Sequence, residues 1–425
     1  MSRNRIIQSI FILFIVWTGT LQAKELNIVS NDTLIIQGLL FEEYHAYDLS
    51  REVFKTLYDR TGAKEYLFRE VASSLMGKIH IDESIKQLKT WDESHPNTLE
   101  VRRLLIPLYL TAKRTEDAKS EAEILLKHSS KPSDLDLAAN PYLYTGDFKK
   151  AEALLEKVYT QTSNENVLLR LASIMDEYTS QRKKAIQLLE THRRMNNLTS
   201  DAVYFKLLDL YVKENDIDGL ISTYKALYEK EKDVKYLSKI IDSYAYKGDL
   251  DGAIAYLEKV KDKNADYILY ELYKQKKLFD KAFLLTDKLY KEQKDPRWIA
   301  EKGILLFEKS KDKNDKKMIN HVIAYFEKAI GLGVDDSIYL NYYGYTLIDK
   351  DVDVKKGIKV IEDALVQQPD NTYYLDSLAW GYYKEHRCME AYRMMKRVVD
   401  QEGLKEPEIA EHWDAIRKCK KRSAS

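Results

Sequence analysis

The chain has 425 residues and carries 68 basic and 68 acidic side chains, so its formal net charge is zero. That balance excludes the strongly basic class of protein that grips nucleic acid. Glycine (15) and proline (7) are sparse while charged residues reach 32%, which points to long helices with wet exteriors and away from loop-rich or collagenous chains.

The amino-terminal segment reads as an export signal. Arg3 and Arg5 form a short basic start, Ile6 to Trp17 is mostly apolar, and Leu21-Gln22-Ala23 offers a cleavage site. Residues 1–23 are therefore assigned as a signal peptide; retained, the same segment would be an anchor. No cysteine follows it to carry a bacterial lipid anchor, and no later run is long and apolar enough to span a bilayer. Its removal leaves 66 basic residues against 68 acidic ones, a net charge of −2.

From there on, a compact residue recurs at one fixed place: Ser50, Ser84, Ala118, Ala151, Ala185, Gly219, Ala253, Ala282, Val322, Gly357 and Ala391. The gaps are 34, 34, 33, 34, 34, 34, 29, 40, 35 and 34 residues. A period of 34 is that of the tetratricopeptide (TPR) helix–turn–helix, whose units bury their apolar faces only on their neighbours. The fold class that follows is all-α: a TPR-type α-solenoid, a right-handed superhelix of about eleven helix pairs plus a carboxy-terminal capping helix.

Each unit should carry a second compact residue, on its first helix, so that the two helices can approach closely. The pairs are Gly38/Ser50, Ala72/Ser84, Ile106/Ala118, Ala139/Ala151, Ala172/Ala185, Leu207/Gly219, Ile241/Ala253, Tyr270/Ala282, Gly303/Val322, Gly344/Gly357 and Ala379/Ala391. Bulky Ile106, Leu207, Ile241 and Tyr270 predict splayed or slipped pairs. His95-Pro96-Asn97, Gly146-Asp147, Gly248-Asp249 and Gln368-Pro369-Asp370-Asn371 fall where turns are needed, with Asp370 or Asn371 as an N-cap. The 29-residue step predicts shortened helices or a tightened loop around Lys261–Asp266. The 40-residue step contains the lysine-rich insertion Lys309–Lys317, read as a solvated turn. These irregularities divide the array into residues 24–298 and 299–406, with 407–425 as the cap and basic tail.

The last stretch carries the sharpest motifs. Tyr339-Leu-Asn-Tyr-Tyr-Gly-Tyr345 opens one unit, Tyr374-Leu-Asp-Ser-Leu-Ala-Trp380 opens the next, and Pro407-Glu408-Ile409 follows. About residues 338–412 resemble the carboxy-terminal repeats of exported bacterial TPR proteins, including envelope adaptors that present substrates to periplasmic carboxyl-terminal processing proteases. The resemblance implies a periplasmic, protein-binding role. Those adaptors are commonly lipid-anchored, and this chain lacks the cysteine for it.

Ile409, Trp413 and Ile416 share one face of the cap, and Arg417, Lys418, Lys420, Lys421 and Arg422 make a basic end that suits a helix C-terminus. Cys388 opens the helix before the cap and Cys419 closes the cap itself, so antiparallel packing brings them to the same end. Whether they form a disulfide or remain two thiols depends on helix rotation, which spacing does not fix.

No catalytic constellation is present: there is no H-E-x-x-H, G-x-S-x-G, P-loop or C-x-x-C, and the eight histidines are scattered singly. Asp349-Lys-Asp351-Val-Asp353 begins like a calcium loop but has Val354 and Val360 where glycine and glutamate belong. Neither a cofactor nor a metal is expected, and the chain is not expected to be an enzyme. What remains is a surface. TPR first helices line the inside of a superhelix, and helical periodicity turns Asn341, Tyr345, Tyr373, Asp376, Trp380 and Tyr383 towards it, with Arg69 and Arg103 in earlier units. The expected function is an exported, non-catalytic scaffold or adaptor holding a protein or peptide in that groove; the alternative is a structural part of a secretion or motility apparatus.

Overall fold

The computed structural model describes residues 29–96, 98–196, 198–260 and 262–423. The proposed signal peptide lies outside them, as do Asn97 and Lys261 of two expected turns. The described residues hold 23 α-helices and no strand. In chain order they alternate as the first and second helices of eleven repeats followed by one final helix, an all-α TPR-type solenoid. Two compact units divide at Glu214/Asn215. The division at 298/299 drawn from the repeat spacing lies inside the second.

The first unit runs through α1 (Asn31–Glu43), α2 (Tyr47–Thr61), α3 (Lys64–Gly77), α4 (Ile81–Ser94), α5 (Leu99–Thr111), α6 (Thr115–His128), α7 (Pro132–Tyr144), α8 (Phe148–Thr162), α9 (Glu165–Glu177), α10 (Arg182–Met195) and α11 (Asp201–Glu214). Its repeat positions are filled as the period requires, with Ala118, Ala139, Ala151, Ala172 and Ala185 all fully buried. In the first pair the Ser50 hydroxyl donates to the Gly38 carbonyl at 3.1 Å, a contact only a small residue permits. Two expectations are corrected. In α3 the buried small residues are Ser73, which pairs with Ser50 at 3.0 Å, and Ser74, whereas Ala72 stays partly exposed. Bulky Ile106 opens no gap, since it and Ala118 are both fully buried.

The second unit comprises α12 (Ile217–Glu231), α13 (Val234–Lys247), α14 (Leu250–Leu257), α15 (Lys263–Gln275), α16 (Phe279–Gln293), α17 (Arg297–Lys309), α18 (Lys316–Gly331), α19 (Ser337–Asp349), α20 (Val354–Gln367), α21 (Thr372–Lys384), α22 (Cys388–Glu402) and α23 (Pro407–Ser423). The short 29-residue step is absorbed by α14, which has only 8 residues. The long step places residues 310–315 between α17 and α18, where Asp315 caps α18 through the Lys317 amide at 2.9 Å. The calcium-like aspartates are otherwise employed: Asp353 caps α20, and Asp351 binds Lys384 at 2.8 Å.

The carboxy-terminal pairs are the tightest. A Cβ built on Gly357 would lie 2.7 Å from the Gly344 carbonyl, and one on Gly344 would lie 2.9 Å from the Gly357 carbonyl. Backbone therefore meets backbone between α19 and α20, which only glycine allows. Asn371 caps α21 through the amides of Tyr373 and Tyr374. The last helix seats Ile409 and Ile416 against Leu375, Ala379, Ala391, Met395 and Val398, and its Trp413 stacks on Tyr392 at 5.2 Å.

Candidate partner-binding face

The site is assembled from three helices of the second unit. On α19, Asn341 and Tyr345 are four residues apart, one turn along the same face. On α21, Asp376, Trp380 and Tyr383 follow the same rule, and the Trp380 and Tyr383 rings stack at 4.8 Å. Helix α23 then brings two residues to them that periodicity did not single out. His412 Nδ1 donates to the Asp376 carboxyl at 3.0 and 3.1 Å, and its ring stacks on Trp380 at 4.1 Å. Glu408 accepts the Tyr345 hydroxyl.

Asp376 and His412 are both buried, at 8% and 4% exposure, so each satisfies the other away from water. Burial and the Glu408 carboxylate together push the Tyr345 hydroxyl far above its ordinary pKa. Two buried polar atoms in this region have no hydrogen-bond partner: Trp380 Nε1, a donor, and Asn341 Oδ1, an acceptor. Tyr373, at the start of α21, is 72% exposed.

The structure thus draws Tyr345, Asp376, Trp380 and Tyr383 into one cluster and leaves Tyr373 outside it as a free surface ring. The two arginines of the first unit do something else. Arg69 binds Glu42 at 2.7 Å, tying α3 to α1, and Arg103 grips Asp134 through two bonds of 2.7 and 2.9 Å, tying α5 to α7. Both act along the seam between successive first helices. Sequence reasoning missed His412 and Glu408. A signal was there, since His412 sits three residues after Ile409, beside the apolar face of the cap.

The sulfurs of Cys388 and Cys419 form a disulfide, with Cα atoms 5.5 Å apart. It joins the first residue of α22 to the far end of α23 and borders an open cleft shared with Trp380, Tyr383, His386, Glu411 and Lys418. Among the described residues no group of three or more His, Cys, Asp or Glu converges to hold a metal, and no helix is long and apolar enough to cross a membrane.

No protein-family model and no curated protein matches the chain. Solved structures do. The APC/C hetero-tetramer Cut9-Hcn1 is 11% identical with a TM-score of 0.38, covering 91% of this chain and 96% of that one. Naa15/Naa10 bound to HypK-THB is 16% identical at a TM-score of 0.35, covering 93% and 68%. YrrB, a TPR protein with an unusual peptide-binding site, is 14% identical at 0.34, covering 47% and 97%. The fold assignment rests on the helix pairs themselves.

Proposed function

We propose that this protein is an exported, non-catalytic scaffold that holds a protein or peptide partner on the α19–α21 face. The observation that carries the reading is the cluster of Trp380, Asp376 and Tyr345. It joins aromatic area to the Trp380 Nε1 donor, which nothing in the described chain satisfies; Asn341 Oδ1 on α19 is an unsatisfied acceptor, and the exposed ring of Tyr373 lies on the same helix as Trp380. Buried polar atoms without partners are costly, by about 1–3 kcal/mol each, and a bound backbone amide or side chain would relieve them. Large amphipathic rings are the usual anchors of protein interfaces. Export suits the amino-terminal sequence, and a disulfide suits an oxidising compartment. Within this reading, the resemblance over residues 338–412 supports an adaptor of a periplasmic processing protease in a Gram-negative envelope.

A photo-crosslinking residue placed at Tyr373 in intact cells tests it. A single predominant adduct is expected, and Asn341→Ala with Trp380→Ala should deplete it at least about ten-fold, the loss of roughly 1.4 kcal/mol of binding. No adduct, or one indifferent to both substitutions in a chain of unchanged helicity, would remove this face from consideration.

A further inference from the structure

The cap helix holds the candidate face through Glu408 and His412, and is itself held at its opposite end by one covalent bond. We propose that the Cys388–Cys419 disulfide is a redox-labile clasp: a dithiol reduces it in the folded protein, and α23 then opens from α21 to uncover Trp380, Asp376 and Tyr345. The functional consequence rests on the reading of that face as the binding site.

Three features of the bond argue for lability. First, Cys388 is the first residue of α22, where unpaired backbone amides and the helix dipole stabilise a thiolate. A low-pKa thiolate is a good leaving group in thiol–disulfide exchange. Second, Cys419 is flanked by Arg417, Lys418, Lys420, Lys421 and Arg422, whose cations offset the unfavourable C-terminal end of its own helix. Asp414 and Glu411 oppose them from the same helix, and Lys418 is paired with Asp414. Third, the bond lies along a cleft open to solvent, with Cys388 buried to 8% exposure and Cys419 more accessible.

These features order the chemistry. A thiolate of the incoming dithiol attacks Cys419 Sγ, on the more accessible of the two residues, forming a mixed disulfide as the Cys419–Cys388 bond breaks. Cys388 leaves as a thiolate at the start of α22 and takes up a proton. The second thiol of the reductant then closes on the first, releasing Cys419 as a thiol. Two electrons and two protons pass to the protein, and the reductant departs as its own disulfide. What then retains α23 is the seating of Ile409 and Ile416 and the bonds of Glu408 and His412, all noncovalent.

The test uses the full mature chain and dithiothreitol, without denaturant, at pH 7. Timed alkylation and mass spectrometry should show both cysteines reduced while the protein stays helical. The rate should fall roughly three- to ten-fold in a chain carrying Arg417→Gln, Lys418→Gln, Lys420→Gln and Lys421→Gln. Amide exchange across residues 407–423 and 372–384 should rise about ten-fold or more on reduction, and Cys388→Ser with Cys419→Ser should reproduce the rise without reductant. A bond that yields only when the chain unfolds overturns the proposal, and so does exchange that ignores reduction, which would make the bond a passive staple. If the double variant fails to fold, the reduced native chain gives the same readout. Neither measurement needs a partner, so a failed crosslink at Tyr373 and a failed clasp are separate results.

Discussion

The two units stitch their first helices together with different chemistry. In the first, the seam is made of ion pairs: Glu42–Arg69 at 2.7 Å, Arg103–Asp134 at 2.7 Å, Asp136–Arg170 at 2.7 Å and Asp176–Lys213 at 2.6 Å. In the second, phenols join the seam beside the ion pair of Lys274 with Glu301 at 3.4 Å. Glu301 on α17 accepts both Tyr270 from α15 and Tyr339 from α19, the latter at 2.9 Å, and Tyr345 reaches Glu408. Phenols meet carboxylates in other contacts of that unit too, with Tyr228 on Asp262 at 3.0 Å and Tyr273 on Glu258 at 2.8 Å. An ion pair fails when its acid is protonated or its field screened; a phenol fails when it ionises. One repeat can therefore be closed by two bonds with opposite pH liabilities.

The largest expected effect is at high pH. Tyr228, Tyr270 and Tyr273 are buried, and burial plus the carboxylate each meets raises all three pKa values. A raised phenol pKa means stability that is complete below the unfolded value near 10 and lost as the pH climbs through the folded one. At pH 11 each of these groups withdraws about 1.4 kcal/mol, roughly 4 kcal/mol for the three. Tyr211 meets Glu190 at 2.8 Å in the first unit, but Tyr109 and Tyr142 there are raised by burial mainly, so the second unit, with more buried phenols on carboxylates among the described residues, should yield first. Brief digestion with an alkali-tolerant protease near pH 10.5, with the first cuts mapped by mass spectrometry, should place them beyond Asn215. First cuts before Glu214 would end the distinction.

Next comes Glu301→Ala, which strands two phenols at once, one of them only 1% exposed. A loss of about 2–4 kcal/mol in denaturant unfolding is expected, with Glu301→Gln recovering part of it. A loss under about 0.5 kcal/mol would mean the tyrosine seam is decoration. Smaller still is Arg103→Ala, expected at about 1–2 kcal/mol, because buried Asp134 keeps its bond from Ser129 at 2.6 Å while losing its half-buried cation. The hydrogen-bonded guanidinium holds the Asp134 carboxyl below its usual pKa. That contribution is present above the unfolded value near pH 4 and disappears as the pH falls through the folded one. The variant should therefore show a flatter acid limb than the parent; parallel limbs would exclude Asp134 as its source.

Where the architecture was legible in the sequence, the reason is locality. Most pairs bury their own compact residues, so the spacing from Ser50 to Ala391 needed no long-range information. The shortened α14 was equally visible as a 29-residue step, though whether helix or loop would yield was not, because both close the same distance. The site was half legible. Helical periodicity places Tyr345, Asp376, Trp380 and Tyr383 on faces that the structure brings together, but the rotation of α23 against two other helices is a tertiary fact, and His412 and Glu408 depend on it. Arg69 and Arg103 lie apart from that cluster and have partners of their own for a physical reason: a long side chain on the inner face can also reach the next first helix, and a buried or half-buried carboxylate there meets it.

The glycine contact between α19 and α20 bears on how the candidate face can respond to a ligand. Where two backbones touch, no side chain lies between them to change rotamer, and the seam cannot loosen by small steps. The α19 and α20 backbones at such a seam are already ordered before anything arrives, so on those two helices association costs little entropy. Affinity at Asn341 on α19 would then depend on how stiff the partner is, and a short rigid segment should outperform a longer flexible one that makes the same contacts.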